Sequence, residues 1–141
     1  MANVIIRSFP VVDEDQDPVP YNENNNSYGV VFNPKNKPLR QSRLHNLSVT
    51  CDVNNAGSDI IQVQFRLVLL NYDEYDFLEH GEDHEIKYVR QVRQGNPVYL
   101  PFQLRNLQPM SNISNARFTI FARHSVAGSP VSRRSFQIEP R

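Results

Sequence analysis

The residues best suited to chemistry are crowded between Asn71 and Glu85, a stretch with seven carboxylates, two histidines and no Lys or Arg. His80 and His84 flank Gly81, Glu82 and Asp83. Imidazole nitrogens with carboxylate oxygens between them are ligand types for zinc or a similar ion. Both rings would share a face only on a helix, and Gly81 opposes a stable one. The order also differs from the His-Glu-x-x-His of zinc proteases. Asp73, Glu74 and Asp76 offer the hard oxygens that calcium prefers, yet without the Asp-x-Asp-x-Asp-Gly spacing of a calcium loop. The run therefore reads as a solvated acidic loop, and no metal or other cofactor is expected.

Nucleophilic chemistry has as little support. Ser48, Ser125 and Cys51 lack a flanking glycine elbow, and His45 and His124 lie in strand-like runs. Cys51 occupies an apolar position of an alternating series, which marks it as a small core hydrophobe. As the chain's single cysteine it rules out an intramolecular disulfide. Paired carboxylates for glycoside hydrolysis could come from the acidic run only in principle. The five glycines form no phosphate-cradling loop. The chain is expected not to be an enzyme, with no catalytic residues.

What the composition does show is a segregation of charge. The total is zero, with 15 basic and 15 acidic residues. Beyond the acidic run the sign reverses: from Ile86 to Arg134 come Lys87, Arg90, Arg93, Arg105, Arg117, Arg123, Arg133 and Arg134, and no acid. Arginine outnumbers lysine twelve to three, a bias that suits interface contacts. Two complementary patches emerge, Asp73, Glu74, Asp76, Glu79, Glu82 and Asp83 against Arg90, Arg93, Arg117 and Arg123. Different but complementary patches permit head-to-tail contact between copies, or docking of another protein. The alternative is that the acidic loop folds back over the chain's own arginines. Arg90, Arg93, Arg117 and Arg123 with Tyr88, Tyr99, Phe102 and Phe121 interleaved could also bind single-stranded nucleic acid. The zero net charge, and an alternation that assigns several of those rings to the core, argue against it. A glycan-binding face would need exposed aromatics, for which Tyr72, Tyr75, Tyr88 and Tyr99 are the candidates.

These side chains must be carried by strands. Leu47, Val49, Cys51 and Val53 alternate with polar residues, and after a turn at Asn54–Asp59 the pattern resumes with Ile61, Val63, Phe65, Leu67 and Leu69. Period-two alternation means one buried face per strand, and the two runs predict a hairpin over 44–71. Residues 3–12 predict an edge strand or arm, broken by Pro10. The acidic, Asn-rich segment 13–27 predicts a surface loop. Further strands are expected at 28–32, 85–93, 98–104, 116–124 and 132–139. Tyr72, Tyr75, Phe77 and Leu78 allow at most a helical turn. About seven or eight short strands imply an all-β, immunoglobulin-like antiparallel sandwich with little helix. One domain over 1–141 is expected, with an extended segment and Asn/Pro-rich loop at 1–43.

Asn46–Gly57, Pro97–Leu104 and Phe118–Arg123 together resemble bacterial immunoglobulin-like modules of the cell-adhesion-related (CARDB-like) type, over about 44–126. The first looks like that family's alternating strand with its Asn-x-Gly-like turn, the others like its Pro-Phe strand and its closing strand. The resemblance implies a binding or spacer module and supplies no catalytic residues. Such modules are usually pieces of exported proteins, whereas the N-terminus here shows no signal peptide and no apolar run long enough to span a membrane. The expectation from sequence is a structural or interaction protein of a larger assembly, made in the cytoplasm and compatible with release in a particle without Sec export. Its partner would be protein, self or other; a carbohydrate-binding or adhesin-type sandwich module is the alternative, and neither membrane nor nucleic acid is expected.

Overall fold

The computed structural model describes residues 3–13, 17–32, 44–54, 60–77, 84–108 and 113–141. Its strands are β1 (Asn3–Ser8), β2 (Val11–Asp13), β3 (Tyr21–Asn22), β4 (Ser27–Val30), β5 (Leu44–Asn54), β6 (Ile60–Leu69), β7 (Tyr75–Phe77), β8 (Glu85–Arg93), β9 (Val98–Pro101), β10 (Leu104–Asn106), β11 (Ala116–His124) and β12 (Val131–Pro140). No helix occurs among the described residues, and so none is long and apolar enough to cross a membrane. The expected all-β sandwich is what the chain forms.

Two main layers enclose the core. The larger sheet runs β3-β4-β12-β11-β6-β8, and the smaller gathers β1, β2 and β9 around β5. β7 and β10 pair separately. All ladders are antiparallel except β4 with β12, which is parallel. Alternation along β6 buries Ile61, Val63, Phe65, Leu67 and Leu69 and exposes the residues between them. Along β5 it buries Leu47, Val49 and Cys51. These two rows face each other across the sandwich. Phe118 and Phe136 stack at 5.0 Å between the layers, flanked by Phe9 at 5.6 Å from Phe136 and Phe102 at 5.7 Å from Phe118. This file of phenylalanines fills the centre that a tryptophan and disulfide occupy in antibody domains.

The predicted hairpin over 44–71 is corrected. Among the described residues β5 pairs with β1, β2 and β9, and β6 with β8 and β11, so the two strands share no ladder. They belong to different sheets, β5 to the smaller and β6 to the larger. Alternation records which face of a strand is buried, and that record is the same whether two strands pair edge to edge or stack face to face. Residues 55–59 of the predicted turn lie outside the described residues.

Three other expectations are refined. The N-terminal run is two strands, because Pro10 has no N–H to donate and the chain steps sideways there, its carbonyl accepting from Ser48 N–H at 2.8 Å. The single strand expected at 98–104 breaks at Phe102–Gln103, leaving β9 on the smaller sheet and β10 on β7. The turn allowed at Tyr72 is one loop at Asn71, whose carbonyl accepts from the N–H groups of Glu74 (3.1 Å) and Tyr75 (3.3 Å) before the chain enters β7. At Gly29 a side chain would collide with the Arg141 guanidinium, so only glycine fits there without displacing it.

Candidate interaction surface

On the larger sheet, the residues that alternate with the core positions form its outer face. Register places Val89, Gln64, Arg123 and Val131 in one row across β8, β6, β11 and β12. The next row holds Lys87, Arg66, Phe121 and Arg133, and the one after it Glu85, Val68, Thr119 and Ser135. Arg93 and Arg117 extend the face at strand ends. These four strands thus show six cations outward, Arg66, Lys87, Arg93, Arg117, Arg123 and Arg133, against two acids, Glu85 and Glu139.

Two of the arginines are held in place. The Arg66 guanidinium lies over the Phe121 ring, 4.3 Å from its centroid, a contact that is both cationic and planar. Arg123 Nη2 donates to Gln64 Oε1 at 2.7 Å. Between them is a shallow groove of about 470 Å³ lined by Arg66, Lys87, Val89, Phe121, Arg123 and Val131 among others. Val89 and Val131, at its two ends, are 54% and 53% exposed. Glu85 is the acid beside it, at 3.8 Å from Arg66 and 3.9 Å from Lys87. On the outer side of the smaller sheet the charges are matched instead: Asp52 accepts from Arg7 at 3.2 Å and from Gln94 at 2.8 Å.

The expected patch residues divide. Arg93, Arg117 and Arg123 share the outer face of the larger sheet. Arg90 alternates to the other side of β8, stacks over Tyr88 at 5.4 Å and donates to the Tyr99 carbonyl at 3.3 Å. On the acidic side, Glu74 and Asp76 are engaged within the chain, while Asp73 is exposed. Glu74 Oε1 accepts from Ser114 N–H at 2.7 Å, and Oε2 from Ser114 Oγ at 2.9 Å and Asn71 Nδ2 at 3.0 Å. These donors, the Asn71 amide foremost, hold the Glu74 carboxyl below its ordinary pKa, and Arg117 adds to the effect. Asp76 takes a two-pronged contact from Arg105, Nε at 3.1 Å and Nη2 at 2.6 Å, and the carboxylate hydrogen bond raises the Arg105 pKa. Sequence alone did not single out Arg105 or Arg66; β7–β10 pairing, which sets Asp76 opposite Arg105, was the missing information. Glu79, Glu82 and Asp83, with His80, lie outside the described residues.

The remaining candidates are placed as follows. His84 packs on the Tyr72 ring at 4.7 Å. Among the described residues no group of three potential metal ligands converges. Cys51 is buried, and burial pushes its thiol up to about 12. Ser48 is buried; His124 Nδ1 and Ser125 Oγ are enclosed without a hydrogen-bond partner among the described residues. The aromatics considered for glycan or nucleic-acid binding are placed as follows. Tyr75 and Tyr88 belong to the core, their hydroxyls donating to the Ser114 and Pro101 carbonyls at 2.7 Å each, so neither offers a sugar platform. The Arg-and-aromatic sheet face is not assembled either: Phe102 is also buried, Tyr99 belongs to β9, and Phe121 is covered by Arg66.

No protein-family model matches this chain, and no curated protein does. Among solved structures, the chain is similar to the N-terminal domain of PorA, with 13% identity, a TM-score of 0.39 and coverage of 99% of this chain and 98% of that one. It is similar also to a cohesin module from a Clostridium perfringens ATCC13124 family 33 glycoside hydrolase, with 12% identity, a TM-score of 0.39 and the same two coverages, 99% and 98%.

Proposed function

We propose that this chain is a non-enzymatic interaction module, acting as one domain, that docks a protein partner on the outer face of its larger sheet. The observation that carries the reading is the composition of that face: six cations against two acids, two arginines already held in place, and exposed valines beside them. Protein interfaces favour Arg and aromatic groups with apolar surface, and pre-ordered guanidinium groups lose less freedom on binding. A spacer or binding role, as the cell-adhesion-related resemblance implies, agrees with this. So does the inert setting of the one thiol.

The test is a titration with a fluorescent acidic peptide of mixed Glu and Leu. Arg66→Glu/Arg123→Glu should abolish binding, while the charge-matched Arg7→Glu/Arg134→Glu should retain it within about threefold, since Arg7 pairs with Asp52 on the smaller sheet and Arg134 turns toward the Phe9 ring and the Ile6 carbonyl. Equal losses from both pairs would mean attraction by overall charge and would remove the face from consideration.

A further inference from the structure

The larger sheet ends in two unlike edges. β3, at one end, is two residues long. β8, at the other, runs nine residues with no proline and no irregularity in its ladder to β6. Short strands, prolines and bulges are among the devices that keep natural sheet edges from pairing, and β8 has none of these. Among the described residues it pairs with β6 alone. The phase of that ladder shows which groups the edge presents. Leu69 N–H bonds the His84 carbonyl at 2.8 Å, so Ile86, Tyr88, Arg90 and Val92 exchange backbone hydrogen bonds with β6. Lys87, Val89 and Gln91 turn their N–H and C=O groups the other way, along the outer edge.

All three residues are exposed, Val89 at 54%. In a single copy the Val89 carbonyl is covered by a side chain: Arg90 Nη1 donates to it at 3.0 Å, while Nε reaches the Tyr99 carbonyl at 3.3 Å. The order of residues along β8 indicates what fits its edge. Turned antiparallel about Val89, a second β8 sets Val89 against Val89, Lys87 against Gln91 and Glu85 against Arg93. Each of these pairs joins residues whose backbone groups face the edge, as a ladder requires. Arg93 is exposed, and Glu85 is held only loosely, at 3.8 Å from Arg66 and 3.9 Å from Lys87. Opposite charges facing each other across a strand pair stabilise it, and like charges do the reverse. Sliding the pairing by two residues one way sets Lys87 against Arg93. Sliding it the other way gives up the opposition of Glu85 and Arg93.

We infer that β8 is a dimer edge, at which two copies join their larger sheets antiparallel about Val89 across a two-fold axis. The contact is isologous and occupies the β8 edge of both copies, so it closes at the dimer. At its centre the Val89 N–H of the second copy takes the place of Arg90 Nη1 on the Val89 carbonyl. Main-chain hydrogen bonds and apposed valines carry it, so it withstands salt better than contacts between exposed charges alone. Arg66 and Arg123, on β6 and β11, stand apart from this edge. Dimerisation and peptide binding by the outer face can therefore succeed or fail separately.

Sedimentation velocity of the full chain tests this. At ~0.15 M salt the wild-type chain should pass from monomer to dimer as concentration rises and go no further, and the dimer should persist at ~0.5 M. Arg93→Glu and Glu85→Arg should each weaken it about tenfold or more, because both ends of the contact then oppose like charges. An equimolar mixture of the two variants should regain it, since each opposed pair across the axis is then an acid with a cation. Val89→Pro removes an N–H that faces the edge and not β6, so it should keep the fold, followed by far-UV circular dichroism, and lose the dimer. A wild-type chain that stays monomeric, association that continues past two copies at ~0.5 M salt, or a mixture that recovers nothing overturns dimerisation through β8.

Discussion

At the scale of single residues, the chemistry of this chain is turned inward. Cys51 sits opposite Ile6 in the β1–β5 ladder with its thiol pushed up to about 12, and thiolate is the reactive form. A maleimide should therefore label the folded protein negligibly over an hour at pH 8 and completely in denaturant; rapid labelling without denaturant would contradict the burial. Glu74 makes stability depend on pH in a definite direction. Its carboxyl is held below the ordinary value in the folded chain, so the unfolded chain binds the proton first as pH falls. Its contribution is complete above the unfolded value of about 4.3 and is lost as pH drops through the lower folded value. Urea midpoints of wild type and Glu74→Gln should differ at pH 7 and converge toward pH 3. A constant gap across that range would show that the carboxylate charge is not what matters. The Asp76–Arg105 pair is two-pronged and mostly enclosed. Removing Asp76 should cost about 1.5–3 kcal/mol, the range for hydrogen bonds to charged groups. A double-mutant cycle of Asp76→Asn and Arg105→Gln should return a coupling energy of about 0.5–3 kcal/mol, the range for contacting residues.

At the scale of elements, the strands were largely legible and their partners were not. Positions such as Val63, Phe65 and Leu67 declare a buried face through alternation alone. Pairing is decided by which edges meet, a property of residues distant in sequence, and so alternation suggests a hairpin of β5 and β6 although they belong to different sheets. The candidate surface was legible to the same extent. Arg93, Arg117 and Arg123 share parity with the outer face of their strands, and the run of cations from 86 to 134 is visible in one dimension. Arg66 joins them only because β6 lies between β8 and β11, and Asp76 leaves the acidic patch only because β7 meets β10. The corrected pairing is open to a direct test. Leu69 N–H bonds the His84 carbonyl at 2.8 Å, which fixes the phase of the β6–β8 ladder and makes Gln64 and Val89 a pair without mutual backbone hydrogen bonds, with Cα atoms about 4.5 Å apart. Gln64→Cys/Val89→Cys should oxidise to a bridged monomer without loss of secondary structure. Failure to close while the reduced variant remains folded would mean that β6 does not lie beside β8.

At the scale of the whole molecule, a zero total conceals a local excess of charge. Six cations against two acids gather on the outer face of the larger sheet. With a pI near 6.9, little net repulsion keeps copies apart at neutral pH, so a face of one sign is where salt-sensitive contacts between copies would form. Added salt should act first by screening those contacts, because the Debye length shortens from about 30 Å at 0.01 M to about 10 Å at 0.1 M. Solubility at pH 7 should therefore increase between these two concentrations, rather than stay flat as it would for a chain whose charges are mixed evenly. Arg66→Glu/Arg123→Glu changes the formal net charge from zero to an excess of four acids and removes the cationic centre of the groove together. Its solubility at low salt should be the higher of the two proteins and should lose most of the dependence on salt. The measurement is the protein remaining in solution after centrifugation across a salt series at fixed pH. A wild-type chain that is as soluble in 0.01 M as in 0.1 M salt would mean that this face does not govern how copies of this chain meet.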